Sequence, residues 1–327
     1  MASSLTSPAL RFAANEMITA LHKDVVKVSQ FTTNFTADAA QKGSTLLIPV
    51  IVDGTAGEFN RTSNNYGDVD GHIRYTPIKF DKHIKHSFGF SENDFNLVNG
   101  TSFWAKSGIS TADAIGRKIA SIVGKLINKD NVKTSGVDET EFTDVNGDKV
   151  EGTKLSFSSA NEHVIGTGDL TKKTVAGFRK ACKDADIPVG QTILALNSTK
   201  FAELLAILDA NMYGGTEAIR SGIIPFLYGY KAVMEMDELD DTNLVGALIP
   251  ETAVAVAGRI PEIQNPQLYT EVGTVTDEKS ELTVQFRRGG DWKTGDSVAT
   301  GESLFGASLV QPTKIVRLVT AATGSGS

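Results

Sequence analysis

One long amphipathic stretch dominates the pattern of apolar and polar positions along the chain. Between Thr101 and Lys129, apolar or small residues recur at steps of three and four, the spacing of one face of an α-helix. Ser110 and Asp113 form a capping signal, so the first residues are predicted either to join the helix or to form a separate turn. A helix of about 18 to 28 residues is roughly 27 to 42 Å long, enough to span a domain. The apolar face consists of Trp104, Gly108, Ala112, Ile115, Ile119, Ile122 and Leu126.

The segment at the start of the chain has a much weaker pattern. Residues 1–43 contain one short helical pattern around Met17 and Leu21, followed by Thr-rich sequence without a clear period from Ser29 to Gly43. Such a segment is ordered only if another surface holds it. We therefore interpret residues 1–43 as an arm with one helix in it.

Residues 44–90 have the pattern of one long β-hairpin. Its first strand is Leu46 to Val52, and Pro49 inside this strand favours the edge of a sheet. In the second strand the apolar positions change phase at Pro77, which predicts a bulge or bend there. Two strands alone are marginally stable in water, so the hairpin is predicted to lie on another surface. The apolar face after the phase change consists of Ile78, Phe80, Ile84, Phe88 and Phe90.

The rest of the chain mixes strands and helices without βαβ regularity, which indicates an α+β protein. A second hairpin is predicted over Glu141–Phe157, with Asn146 and Gly147 in its turn. An amphipathic helix over residues 169–186, capped by Asp169, carries Val175, Phe178 and Cys182. The remaining predicted elements are a buried strand at Thr192–Leu196, a helix from Ser198 to about Ala210, strands at Tyr228–Met236, Leu244–Val256 and within residues 268–319, where Leu282, Val284 and Phe286 alternate, and a last strand at Lys314–Val319.

Composition and charge narrow the possible functions. The chain has 327 residues and a net charge of −7, which argues against a general nucleic-acid binder because phosphate binding needs clustered Lys and Arg. We expect no tight binding of the free subunit to duplex DNA at physiological salt. No apolar run approaches 18 residues, so no membrane span is predicted. The sequence shows no secretory signal, and a cytoplasmic site of synthesis is expected.

The residues that could be metal ligands are better interpreted as parts of strands and turns. His83 and His86 are three apart on a predicted strand and so face opposite sides, which prevents joint chelation even with His72 nearby. Asp144, Asn146 and Asp148 begin a calcium-loop spacing, but the glycine is at the fourth position rather than the sixth, and Leu155 occupies the twelfth position instead of glutamate, so a hairpin turn is the better interpretation. The acidic run Asp237, Glu238, Asp240 and Asp241 is interpreted as a solvated turn. No metal or cofactor site is predicted.

Catalytic signatures are missing from the sequence as well. There is no phosphate-binding GxxxxGK[ST] loop, no GxGxxG after a strand and no GxSxG nucleophile elbow. The single cysteine, Cys182, rules out an intrachain disulfide and is interpreted as a packed thiol. We therefore predict no catalytic residues and no enzyme.

The order of the segments resembles the major capsid proteins of tailed bacteriophages with the Hong Kong 97-type fold. In that family a strand is followed by Asn and a helix ending in Asp, and a glycine-containing strand precedes an acidic turn. The resemblance spans nearly the whole chain. It is carried by HSFGFSENDFN before the long helix, then TILALNSTKFAELLAILD, GIIPFLYGYKAVMEMDEL and LVGALIPETAVAVAGR, and finally LTVQFRRGGDW and VQPTKIVRLV.

This resemblance implies a division of the chain into five parts. The long helix would be the spine helix of a peripheral domain, and the loops of an axial domain would meet at the centres of hexamers and pentamers. The parts are an N-arm at 1–43, an extended loop at 44–90, the peripheral domain with the spine helix at 91–168, the axial domain at 169–262, and a return to the peripheral domain with the C-terminal tail at 263–327.

The resemblance also implies a function and partners. The chain would self-assemble as hexamers and pentamers into an icosahedral shell enclosing the double-stranded DNA of a tailed phage, without sequence-specific DNA binding. Its location would be the virion, after assembly in the host cytoplasm. Because the arm is short, a separate scaffold protein is expected, together with a portal and, as an open question, a decoration protein. The predicted loop tip, Gly57 to Gly71, has no lysine, so no covalent cross-link through a tip lysine is expected.

Two other functions remain open at this point. A bacterial encapsulin has the same fold but encloses protein cargo, so the contents of purified particles would separate it from a phage shell. A tail-tube or baseplate protein is also rich in strands and long loops, but it forms rings or tubes that an electron micrograph distinguishes from shells.

Overall fold

The structure is a computed structural model that describes most of the chain. The described residues are 16–17, 20–21, 25–35, 45–52, 72–91, 100–127, 141–143, 149–151, 162–166, 170–185, 187–208, 222–239, 243–263, 265–277, 281–290 and 297–320.

Within these ranges the chain forms long helices, short helical turns and strands. The long helices are α1 (Gly100–Leu126), α2 (Lys172–Asp184) and α3 (Ser198–Ile207). The strands are β1 (Thr32–Asn34), β2 (Thr45–Val52), β3 (His72–Lys79), β4 (Lys82–Phe90), β5 (Glu141–Thr143), β6 (Lys149–Glu151), β7 (Glu162–Ile165), β8 (Thr192–Leu196), β9 (Ile223–Pro225), β10 (Ala232–Glu235), β11 (Leu244–Pro250), β12 (Val254–Arg259), β13 (Glu271–Thr276), β14 (Thr283–Gly290), β15 (Ser297–Leu309) and β16 (Val316–Thr320).

The described strands form two large sheets and two small ones. The first sheet has six strands in the order β1-β12-β15-β14-β13, with β4 also paired to β15. The second sheet has six strands in the order β7-β16-β11-β8-β10-β9. The pairs β2-β3 and β5-β6 form two-stranded sheets. The mixture of sheets and helices agrees with the predicted α+β class.

Helix α1 packs its apolar face onto the first sheet. It runs without interruption from Gly100, so the long-helix prediction is confirmed and the alternative of a separate first turn is wrong. Lys125 in its last turn lies near the negative end of the helix dipole. The side chain of Trp104 lies outside the described part. Of the other predicted face residues, Gly108, Ala112, Ile115 and Ile119 are buried, Ile122 and Leu126 are partly buried, and Val123 and Ile127 complete the face.

The described part of the N-terminal segment belongs to the core of its own chain. Met17, Leu21, Val28 and Phe31 are buried in the same apolar cluster as α1 and the first sheet. The Thr-rich sequence that follows, where no element was predicted, forms β1 and pairs in parallel with β12. The surface that this segment was predicted to need is supplied, for residues 25–35, by α1 and the first sheet of the same chain. Backbone hydrogen bonds to β12 hold β1 in place, although its polar sequence shows no strand pattern.

The predicted hairpin exists, but its second strand is divided between two sheets. Strands β2 and β3 pair antiparallel from Thr45↔Lys79 to Val52↔His72 without a register shift, so the bulge predicted at Pro77 is wrong. The chain instead leaves this pair at residues 80–81, and β4 pairs with β15 in the first sheet. A side chain at Gly306 of β15 would lie 2.6 Å from the Lys79 carbonyl oxygen, so glycine permits this crossing.

The second sheet is buried on both faces. Ile193 and Ala195 of β8 belong to the cluster shared with α1, whereas Leu194 and Leu196 face a second cluster formed with α2 and α3. This explains the continuous apolar run of β8, because a strand covered on both faces needs no polar side. The strand prediction at Thr192–Leu196 is confirmed.

Several boundaries differ from those predicted. The predicted strand Leu244–Val256 is two strands, β11 and β12, which lie in different sheets with a turn between them. Helix α2 begins at Lys172 with Thr171 as its cap, since the Thr171 hydroxyl accepts from the Thr174 N–H; the predicted cap, Asp169, lies outside the described residues. Helix α3 ends at Ile207, before the predicted end at Ala210. A 3₁₀ turn, Leu227–Gly229, occupies the start of the strand predicted from Tyr228, and the last strand begins at Val316.

The second predicted hairpin is present as a pair of short antiparallel strands. Strands β5 and β6 pair antiparallel, with Phe142 opposite Val150. The turn predicted at Asn146 and Gly147 lies outside the described residues, as do 152–160 and the tail 321–327.

Candidate assembly surface

The β2–β3 pair is a projection anchored at one end in its own chain. Ile48, Ile78 and Phe80 are buried against Ala255, Ala257 and Val310 at the end nearest the first sheet. At about 3.3 Å per residue, each eight-residue strand is roughly 26 Å long. The predicted apolar face therefore begins inside the subunit, and Ile84 and Phe88 continue it against the first core. The pair is a rigid base for the residues that join its two strands.

The outward face of α1 is cationic. Lys106, Arg117, Lys118 and Lys125 are exposed on it, and Asp113 is the one acidic residue in the helix. This face contrasts with the net charge of −7 for the chain. This face can lie close to a polyanion such as DNA. Contacts between separate lysine or arginine side chains and phosphate groups supply no sequence specificity, however.

A turn next to β9 presents an aromatic side chain to solvent. Phe226 is 82% exposed and has a left-handed backbone, with φ 55° and ψ 28°. Tyr228 has the same unusual conformation, with φ 51° and ψ 23°. Left-handed backbone is costly for bulky side chains, so this turn is strained in a way that marks functional surfaces.

A shallow hollow lies beside α2. Its volume is about 610 Å³. Helix α2 and the chain that follows it supply both basic and apolar groups to the hollow. It is lined by Arg179, Lys180, Lys183, Ile187, Pro188 and Val189.

A cleft of about 400 Å³ separates the N-terminal segment from the first sheet. Val28, Ile119 and Phe305 give it an apolar wall, and the carboxylates of Glu251 and Glu281 lie at its lining. Among the described residues that line it, there is no His, Cys or Lys to pair with a nucleophile. Glu251 and Glu281 are the ionisable side chains among the described residues that line the cleft.

The residues considered as metal ligands lie apart. His83 Nε2 is 3.1 Å from Glu302 Oε2, and His86 Nδ1 is 3.2 Å from the Thr111 hydroxyl. Asp237 accepts from the Ser198 N–H at 2.7 Å, so it helps to start α3. No group of three potential ligands occurs within the described ranges. The side chain of His72, the loop 144–148 and Asp240 and Asp241 lie outside those ranges.

Buried ion pairs were not predicted from the sequence. Arg287 lies 3.4 Å from Glu302, donates to Gln285 Oε1 at 2.8 Å and to the Pro261 carbonyl at 3.2 Å. In the second sheet, Arg317 is buried and pairs with Glu162 across β16 and β7. Removing one partner of such a pair leaves an uncompensated buried charge, so these pairs favour one strand register.

Cys182 is a buried thiol in the core of the second sheet. Burial raises its pKa to about 11, against the opposing effects of a Thr192 hydrogen bond and the Arg179 charge. Since the reactive form of cysteine is the thiolate, only about 0.1% of this thiol is ionised at pH 8.

We expect Cys182 to react with a disulfide reagent such as DTNB at least about a hundredfold more slowly in the native protein than in denaturant. The measurement is the absorbance time course at pH 8 with and without guanidinium chloride. Stoichiometric native labelling within seconds would show that the thiol is accessible.

Comparison with known proteins identifies the fold. No protein-family model matches the sequence, and no curated protein matches it. The capsid structure of the cyanophage P-SCSP1u is similar, with a TM-score of 0.56 and 13% identity over 90% of this chain and 88% of that one. The capsid of Ralstonia phage GP4 has a TM-score of 0.56 and 9% identity over 91% and 89% of the two chains. The capsid of a native GTA particle has a TM-score of 0.52 and 13% identity over 92% and 91%.

The chain thus has the fold of these capsid proteins over about nine-tenths of its length. This confirms the fold predicted from the order of its segments. The finer division into arm, extended loop, peripheral domain and axial domain stays a prediction. No described helix is both long and apolar enough to cross a bilayer.

Proposed function

We propose that this chain is the major capsid protein of a tailed bacteriophage. The observation that carries the proposal is the match of nearly the whole chain to several phage capsid structures, in which about nine-tenths of both chains superpose. A match of this extent concerns most of the chain and most of each capsid protein.

The proposed assembly is a closed icosahedral shell of hexamers and pentamers. Closed rings of identical subunits use heterologous contacts, in which one surface of a subunit meets a different surface of its neighbour. The β2–β3 projection and the exposed Phe226 turn are different surfaces of this kind. They support a subunit whose full stability depends on its neighbours.

The proposed partners follow from the same assignment. Double-stranded DNA would lie inside the shell without sequence-specific binding, which suits an acidic chain whose α1 face is basic. A separate scaffold protein and a portal would take part in assembly in the host cytoplasm, and the mature location would be the virion. We propose no catalytic role, in keeping with the capsid proteins whose fold the chain shares.

The proposed domains follow the sequence division with one adjustment. The second sheet is the proposed axial domain, and α1 with the first sheet is the proposed peripheral domain. Sheet membership supports an axial domain that includes β7 and β16 in addition to residues 169–250, while β12 pairs with the peripheral sheet. The β2–β3 pair is the proposed extended loop, and the part of the chain before β2 is the proposed N-arm.

The test is electron microscopy and sedimentation of the purified protein. We expect spherical shells or capsomers, because the proposed contacts form between copies. A stable folded monomer at every concentration tried would overturn the proposal, and so would rings or tubes, which indicate a tail-tube or baseplate protein. Shells from the native source that contain an enzyme instead of DNA would indicate an encapsulin.

A further inference from the structure

We propose that Phe226 of one copy inserts into the α2 hollow of a neighbouring copy, with its ring against the Arg179 guanidinium. The inference rests on the proposed self-assembly and assigns one specific contact within it. The hollow is the surface lined by Arg179, Lys180, Lys183, Ile187, Pro188 and Val189.

Hydrogen bonds and buried neighbours fix the backbone that carries the exposed Phe226 side chain. Its own N–H donates to the Lys231 carbonyl at 3.1 Å, and the Tyr230 N–H donates to the Leu227 carbonyl at 3.0 Å. Leu227 and Tyr230 are fully buried on either side of the exposed turn. The fold therefore fixes a strained backbone that points a large apolar side chain outward, and strain retained in this way indicates a function for the exposed group. A rigid aromatic also loses little conformational freedom on binding.

The hollow has the chemistry that an aromatic ring needs. Ile187, Pro188 and Val189 supply apolar surface, and Arg179, Lys180 and Lys183 supply positive charge. No acidic residue is among the described residues that line it. The negative face of a phenyl ring attracts a guanidinium or ammonium group within about 6 Å, so ring and hollow are electrostatically complementary. Arginine is also favoured over lysine at such contacts because its planar group stacks on rings.

The occupant of the hollow is a second copy, since the same chain leaves its own Phe226 exposed. The turn and the hollow lie at the same end of the second sheet: a side chain at Gly229 would lie 3.9 Å from the guanidinium carbon of Arg179. In a ring of identical subunits, equivalent atoms on neighbours come closer together as they approach the rotation axis. A projection and a hollow that are close on one subunit can therefore meet between neighbours only near that axis. The contact thus assigns this end of the second sheet to the centre of the ring.

The decisive test mixes two variants that each carry one added cysteine besides the buried Cys182. Subunits carrying Phe226→Cys and subunits carrying Val189→Cys are combined before assembly, oxidised, and run on a non-reducing gel. Because the two cysteines are on different chains, a dimer band reports a contact between copies. The buried Cys182 makes the wild type a suitable blank. The matched control replaces Phe226→Cys by Leu268→Cys, at a residue that is 67% exposed on another turn.

We expect a strong dimer band from the Phe226→Cys mixture and at least about tenfold less from the Leu268→Cys mixture. Shells that form without a 226–189 band above the control would overturn the inference and leave the proposed function intact. Failure of the wild type to assemble at all would overturn the proposed function, and this inference with it.

A glycine substitution at Phe226 distinguishes an effect on assembly from an effect on folding. Phe226→Gly removes the side chain and relieves the left-handed strain, because glycine adopts positive φ without cost. We expect an unchanged or higher melting temperature of the subunit and an increase of about ten- to a hundredfold in the protein concentration needed for assembly. Leu268→Ala should leave that concentration unchanged. An unaltered assembly threshold for Phe226→Gly would contradict the contact.

Discussion

Replacing residues 57–70 with a short Asn-Gly turn is expected to leave the subunit folded and to prevent the formation of stable shells. The base of the hairpin stays intact, because Ile48, Ile78 and Phe80 are buried against β12 and Val310 in the same chain. A hairpin with an Asn-Gly turn is a favourable local structure, so β2 and β3 are expected to pair as before. Every subunit of the proposed shell would, however, lose one contact with a neighbour.

The measurement combines circular dichroism of the subunit with electron microscopy of the assembly. A matched control replaces the same residues with a Gly/Ser linker of equal length, which keeps the reach but removes the side chains. We expect both variants to fold. We also expect both to yield fragile shells or none, because both lack the side chains of the loop tip. Shells as heat-resistant as the wild type would refute the assignment of this segment as an intersubunit loop. Loss of the subunit fold would show that it belongs to the core.

Two glycine-to-alanine substitutions in helices are expected to change stability in opposite directions. At an open helical site, alanine is favoured over glycine by about 0.5–1 kcal/mol. Gly177 in α2 is such a site, since a methyl group there meets nothing within 4 Å. Gly124 in α1 is different, because a methyl group there would overlap the carbonyl oxygen of Glu238 and lie 2.7 Å from its carbonyl carbon.

We therefore expect Gly177→Ala to raise the free energy of unfolding and Gly124→Ala to lower it by about 1–3 kcal/mol. The Glu238 backbone has little room to move, since Met236 and Leu239 beside it are buried in the first core. The end of α1 would have to separate from this turn, which follows β10 of the second sheet. Urea denaturation of the dissociated subunits measures both values. A stabilising Gly124→Ala would show that the turn yields without cost.

The sequence predicted those helices and strands whose formation depends on residues close together in the chain. Helix α1 was predictable because its apolar residues follow one period through the whole element, and strand β8 because a short unbroken apolar run is typical of a strand buried on both faces. The sheet that each strand joins was not predictable in the same way. Strands β11 and β12 read as one apolar run, yet they pair with β16 and β15 in different sheets. Pairing between residues far apart in sequence is a property of the whole fold.

The same reasoning explains the misplaced bend in the hairpin. A phase change at Pro77 was the strongest local signal, but the strand continues through it in register. The actual break follows from β4 finding a partner in β15, a strand more than two hundred residues away.

The candidate surface was only partly visible in the sequence. The long hairpin was predicted from its strands, whereas Phe226 was overlooked because the sequence around it resembles an ordinary strand. Its exposure comes from positive φ at Phe226 and Tyr228, which neither residue prefers. The ion pair of Arg317 was signalled by the sequence, because this arginine lies within the apolar strand β16. A charged side chain needs a nearby acidic partner when both faces of the sheet are covered.

The positions of the last two described strands determine when the two large sheets of a newly made chain can be completed. Strand β15 is flanked by β4 on one side and by β14 and β12 on the other, and β16 lies between β7 and β11. Each large sheet therefore lacks an interior strand until residues 297–320 have left the ribosome. Long-range pairing of this kind makes folding slow and largely post-translational. In the proposed shell, a chain that ends before residue 297 would therefore lack an interior strand of each large sheet and would not present the contact surfaces of the complete subunit.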